Sequence, residues 1–97
     1  MDSLPELKKK VEKYRTLTKK ALEKIELVKG LADKDKKNAS TFLEMAKNYF
    51  SDAGYFEEKK DLLTALAAYS YAHAWLDAGV KAGWFDHKGD NKLFVLP

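Results

Sequence analysis

Four residues stand where their chemistry could combine: Ser70, His73, Asp77 and Lys81, spaced three, four and four apart. On a helix that spacing stacks the side chains along one face. An aspartate one turn beyond a histidine can orient an imidazole for acid–base work or metal ligation. A zinc site needs three or four ligands, and the other histidine, His87, stands well away in the tail. Ser70 and His73 lie on one helix, and no oxyanion hole can be read beside them. The stripe is therefore read as a hydrogen-bonded seam on the solvent-facing edge of a buried helix.

Tyr69, Tyr71, Trp75, Trp84 and Phe85 gather around the same segment. Aromatics in such a group serve a core, a ligand pocket or a partner's anchor site. The surface expected for a partner or ligand comprises Tyr69, His73, Trp75, Asp77 and Trp84. A second set, Lys9, Lys13, Lys20 and Lys24, recurs at four, seven and four and makes a basic row suited to phosphates. Glu6, Glu12, Glu23 and Glu26 interleave with it, and the chain has a single arginine, Arg15. Arginine is the usual residue for bidentate phosphate recognition. This row thus predicts weak, unspecific nucleic-acid contact, and a salt-bridged solvated face is the plainer reading.

The chain has no cysteine, which removes disulfides, thiolate catalysis and cysteine-ligated metal centres. Glycine-rich phosphate loops, nucleophile elbows and HExxH are missing. So is the arginine–histidine signature of helical RNA-cleaving domains. The expectation is a chain with no catalytic residues, cofactor or metal.

The elements that position these residues follow from periodicity. Ser3 and Glu6 form a capping box, and Pro5 suits a first turn. Leu7, Val11, Tyr14, Ala21, Ile25, Val28 and Ala32 continue the stripe, predicting a helix over about 4–31. The polar run 33–38 reads as a connection or frayed turn. Ala39, Phe42, Ala46, Tyr49, Ala53 and Phe56 predict a second helix over about 36–58, capped by Asp35, Asn38 or Ser40. Asp61 opens a third over 62–82, apolar almost all round and therefore central. Gly83 suits the left-handed position past its end. A tail, 84–97, carries the apolar run Leu93–Leu96. Three helices with short links predict an all-α antiparallel three-helix bundle, up-down-up, with a short apolar C-terminal tail.

The chain has 97 residues, 45% hydrophobic and 34% charged, which suits one globular domain. Net charge is +3 and uneven. Residues 1–40 hold 12 Lys/Arg against 7 Asp/Glu, and 41–97 hold 6 against 8. No window approaches the ~20 apolar residues of a membrane span. The opening MDSLPELKKK lacks a signal peptide's apolar stretch, so a cytoplasmic setting is expected. The lack of glutamine beside abundant Lys and Glu leans towards a heat-loving source.

Two resemblances add to this. Residues from about Tyr49 to Ala72 look like one tetratricopeptide unit, with Ala65, Tyr69 and Ala72 on its small, aromatic and small positions. Asp77 stands where that repeat has proline, and a solenoid needs about three copies. Shared helix-hairpin packing accounts for the likeness. The second is carried by Ser70-Tyr71-Ala72-His73-Ala74-Trp75-Leu76-Asp77-Ala78-Gly79, then Gly83-Trp84-Phe85, with Met45–Ala53 upstream. Over about residues 40–95 the chain resembles a family of short archaeal proteins known as a domain of unknown function. The resemblance implies a helical bundle and an archaeal cytoplasmic setting, and it implies no activity. The functional expectation is a non-enzymatic protein-interaction or structural module. It would self-associate or bind another protein through helix faces, with a homodimer the commonest arrangement. Alternatively, the tail folds back over Trp75 and Trp84 and seals the domain.

Overall fold

The computed structural model describes residues 3–94. Its elements in chain order are α1 (Leu4–Lys24), β1 (Glu26–Leu27), α2 (Asp33–Glu58), α3 (Leu62–Lys81) and β2 (Phe85–Asp86). The Ser3 hydroxyl accepts from the Glu6 amide at 3.3 Å and starts α1. The Asp61 carboxylate accepts from the Thr64 amide at 3.3 Å and starts α3. Each cap satisfies one of the amides a helix start leaves open.

The bundle runs up-down-up, as its two core clusters show. In one, Val11 of α1 meets Ala53 of α2 and Ala65, Ala68 and Tyr69 of α3. In the other, Ala21 of α1 meets Ala39 and Ala46 of α2 and Leu76 and Val80 of α3. Numbers rise together along α1 and α3 and fall along α2, so α2 is antiparallel to both. The helix pairs α2–α3 and α1–α3 pack extensively, whereas α1 scarcely meets α2. α3 is the central element, as its all-round apolar character predicts.

The α2–α3 seam has a simple composition. Ala39, Ala46 and Ala53 stand seven apart on α2 and are fully buried. Ala65, Ala72 and Gly79 stand seven apart on α3 and are buried too. A seven-residue repeat holds one stripe against a neighbouring helix. Residues this small let the two backbones approach closely, since interaxial distance follows the side chains at the contact.

Two boundaries and a short ladder differ from the sequence expectation. α1 stops at Lys24, not at residue 31. Ile25 adopts extended backbone, with φ −63° and ψ 139°. The chain then pairs antiparallel with the segment after α3, Glu26 against Asp86 and Leu27 against Phe85. The Val28 amide donates to the Trp84 carbonyl at 2.8 Å, and Gly30 turns the chain at φ +80°. Ile25, Leu27 and Leu31 still reach the core, but from an extended connection. The spacing of Ile25, Val28 and Ala32 imitated a helical stripe, but of these three only Ile25 is buried. This two-residue ladder, too short for a period-two pattern, was not predicted. The polar run from Asp33 is the first turn of α2, where Asp33 and Asp35 complement the helix dipole. Asp35, Asn38 and Ser40 lie inside that helix. Its cap is Ala32, which makes no side-chain cap bond.

The described part of the tail folds back onto the bundle. Phe85 and Phe94 are buried, and Leu93, Trp75 and Trp84 pack around them. Val95, Leu96 and Pro97, the rest of the apolar run, lie outside the described residues. Among the described residues no helix is long and apolar enough to cross a membrane.

Gly79 has a specific role. A Cβ at this position would overlap the Phe85 ring. Alanine is the better helix former by ~1 kcal/mol, but overpacking a core costs about 1–3 kcal/mol. Gly79→Ala is expected to lower the denaturation midpoint of the parent, and to cost little when made in a Phe85→Ala background. A Gly79→Ala midpoint at or above the parent's would contradict this packing.

Candidate functional site

His73 is the most connected polar group of α3. Its Nε2 lies 2.6 Å from the Leu93 carbonyl oxygen, which can only accept, so Nε2 carries the proton. In the neutral ring Nδ1 then accepts from the Thr18 hydroxyl at 3.1 Å. Thr18 is fully buried in α1. One imidazole thereby joins α1, α3 and the tail. Both ring nitrogens are committed, and proton abstraction or metal ligation at Nδ1 would cost the bond from Thr18 of α1. Asp77 Oδ1 is 4.0 Å from Nε2, outside hydrogen-bond range.

Of the Ser70–His73–Asp77–Lys81 stripe, Ser70 and Lys81 are exposed. His73 and Asp77 are half-buried towards α1 and the tail, while Ser70 donates back to the Leu66 carbonyl of its own helix at 2.9 Å. Within this set the structure places Asp77 beside His73. Among the described residues no group of three or more His, Asp or Glu side chains is placed to hold a metal ion.

The remaining expected residues separate. Tyr69 is core, and its hydroxyl donates to Glu57 at 2.8 Å, with Arg15 paired to the other oxygen of the same carboxylate. Burial, then the Glu57 hydrogen bond and charge, push its pKa well above the usual phenol range. Trp75 and Trp84 meet Phe42 edge-on at 4.8 and 4.9 Å between ring centroids. Lys9, Lys13 and Lys20 are exposed on α1. Lys24 departs from the row: it pairs with Asp90 of the tail at 2.8 Å. Asp90 also accepts from the Lys92 and Leu93 amides, each at 3.0 Å. The Lys24 hydrogen bond, followed by that of the Leu93 amide, holds the Asp90 carboxyl down to about 2.

A surface not singled out by the sequence lies on the outer side of α3. Leu63, Ala67, Ser70, Tyr71, Ala74 and Ala78 are all exposed and fall at spacings of three and four. Leu63 and Tyr71 project, with 71% and 61% of their surface in solvent. Two hollows flank Tyr71. One, of about 380 Å³, is lined by Ala67, Ser70, Tyr71 and Ala74. The other, of about 320 Å³, is lined by Tyr49, Tyr71, Ala74, Trp75 and Ala78. Tyr49 of α2 stacks on Tyr71 at 5.5 Å and fixes its direction. The available signal was the heptad of small residues: once Ala65, Ala72 and Gly79 face α2, the other alanines must face elsewhere.

A family model described as a protein of unknown function, DUF357, matches residues 13–85. The chain belongs to this family. The DUF357 match extends beyond the α2–α3 hairpin and takes in α1 from Lys13 onwards, where the resemblance read from the sequence began near residue 40. It ends at Phe85, on the strand that closes against β1, so the Leu27–Phe85 pair and the Gly79–Phe85 contact fall within the family's span. No curated protein matches the chain, and no solved structure does.

The tail latch is testable by pH. A carboxyl held below its unfolded value stabilises the fold above that value and loses its contribution as pH falls through the folded one. Docking of residues 90–94 is therefore expected to weaken between about pH 4 and pH 2, read by tryptophan fluorescence. Asp90→Asn should flatten that transition. His73→Ala should speed hydrogen exchange at the Phe94 amide at neutral pH and cost about 1–2 kcal/mol. Unchanged exchange would contradict the latch.

Proposed function

We propose that this chain is a non-enzymatic protein-interaction module whose docking surface is the outer face of α3. The observation that carries this reading is an exposed face, Leu63 to Ala78, with no charged side chain, on a protein that is 34% charged. Contiguous exposed apolar patches are uncommon on monomers and usually mark interaction sites. The hollows beside Tyr71 give a partner's side chains places to insert, and rigid aromatics such as Tyr71 and Trp75 make good anchors. His73, the most plausible catalytic group by type, is instead occupied as a structural link.

Phosphate binding through Lys9, Lys13, Lys20 and Lys24 has less support. Lys24 is engaged by Asp90, and Glu12 stands between Lys9 and Lys13. Affinity capture with the whole chain should recover a protein, either the chain itself or another one. Recovery should survive nuclease and raised salt, be lost with Ala74→Arg, and be kept with Lys9, Lys13 and Lys20 all changed to Glu. Recovery of nucleic acid that falls steeply with salt and disappears in the glutamate variant would transfer the function to α1.

A further inference from the structure

We infer that residues 87–94 are a strap that swings away from the intact bundle, pivoting on the turn His87–Asp90, with Asp77 replacing the Leu93 carbonyl as the acceptor for His73. This concerns the side of α3 turned towards α1 and stands apart from the docking role proposed above. The chain just before the turn is fastened separately. Phe85 sits against Gly79, β2 pairs with β1, and Lys88 reaches Glu26 of β1 at 2.9 Å. The turn itself takes left-handed backbone at two successive residues, Lys88 at φ +54° and Gly89 at φ +71°. The Asp90 amide closes it by donating to the His87 carbonyl at 2.9 Å. Glycine adopts that region freely and lysine does not, so straightening the turn relieves strain at Lys88. Beyond the turn the strap carries its own hydrogen bonds. The Asp90 carboxylate accepts from the Lys92 and Leu93 amides, and the Phe94 amide donates to the Asp90 carbonyl at 3.1 Å. Residues 90–94 therefore move as one piece.

The Lys24–Asp90 pair, the His73–Leu93 hydrogen bond and the buried Phe94 ring hold that piece down. The ion pair is partly exposed and contributes little. The His73 link has a replacement beside it. Asp77 stands one turn further along α3, its Oδ1 4.0 Å from Nε2 against 2.6 Å for the Leu93 oxygen. When the carbonyl leaves, a change of Asp77 rotamer closes that gap, and a carboxylate accepts more strongly than a neutral carbonyl. Thr18 keeps its bond to Nδ1, so the link between α1 and α3 survives opening. Opening takes Phe94 out of the cluster that holds Ala21, Ile25, Leu76 and Val80. It thereby uncovers apolar surface between α1 and α3, for which the docked strap is a cover.

Hydrogen exchange of the whole chain at neutral pH, with denaturant raised in small steps below unfolding, tests this. If the strap opens alone, the Leu93 and Phe94 amides should be at least ~100-fold less protected than those of Leu76 and Val80 in α3. Their exchange should also depend little on denaturant, because a local opening exposes little surface. Asp77→Ala separates a replacement acceptor from an ordinary structural aspartate. Without the acceptor, opening is less favourable, so exchange at Phe94 should slow about fivefold, opposite in sign to His73→Ala. An aspartate that merely stabilised the docked tail would speed exchange when removed. Leu76 and Val80 report the bundle in the same spectra, so any loss of overall stability in the variant is read there. Phe94 exchange with the protection and denaturant dependence of Leu76 would overturn the strap. Unchanged or faster Phe94 exchange in Asp77→Ala would overturn the change of acceptor.

Discussion

The close approach of α2 and α3 is the constraint on which the rest of the molecule depends. Ala39, Ala46 and Ala53 on α2 and Ala65, Ala72 and Gly79 on α3 are buried on seven-residue repeats, and none of these has a side chain larger than a methyl. Such a seam gains little apolar area per residue. Its contribution is proximity: with the backbones close, the larger neighbours on both helices interlock around it. Phe42, Leu43, Trp75 and Leu76 pack around one end, and Phe50, Phe56, Leu66 and Tyr69 around the other. Enlarging any of the five alanines would push the helices apart, whereas a larger residue at Gly79 meets the Phe85 ring first.

That geometry decides where everything else can go. α1 lies against α3, with its contacts on one flank through Val11, Thr18 and Ala21, and scarcely touches α2. The end of the hairpin at Gly79 is narrow enough to seat Phe85 directly on backbone, which brings β2 to β1. The tail continues over the same region and is held by two polar links of different kinds. Lys24 with Asp90 is partly exposed and sensitive to salt, whereas the Thr18–His73–Leu93 chain is more buried and is not an ion pair. α2 and α1 cover two sides of α3. The third, Leu63 to Ala78, remains outward and free of charge.

The sequence discloses the fold class more readily than the site. Capping at Ser3 and Asp61, the break at Gly83 and the breadth of the apolar pattern on the third helix report local chemistry, and all four agree with the structure. The end of the first helix was hidden because Ile25, Val28 and Ala32 continue the spacing of three and four, although Val28 and Ala32 are exposed. Its true stop depends on pairing with residues some sixty positions later. The turn into α3 carries Lys60 at φ +65°, where a glycine would have announced it. His73 was visible as a polar group of interest, but its partners come from another helix and from the tail. The outer face of α3 was masked by composition. A helix apolar on every side does not say which side is uncovered, and only the heptad of small residues points to the answer.

Amide chemical shifts followed by NMR as the concentration of the chain, or of a captured protein, is raised bear most directly on the central claim that the hairpin leaves one face of α3 for docking. The account predicts that concentration-dependent shifts and broadening concentrate at Leu63, Ala67, Tyr71, Ala74 and Ala78 and at Tyr49 beside them, while α1 stays constant. Shifts confined to the lysine face of α1, or spectra independent of concentration with α3 amides unresponsive to any captured protein, would contradict it.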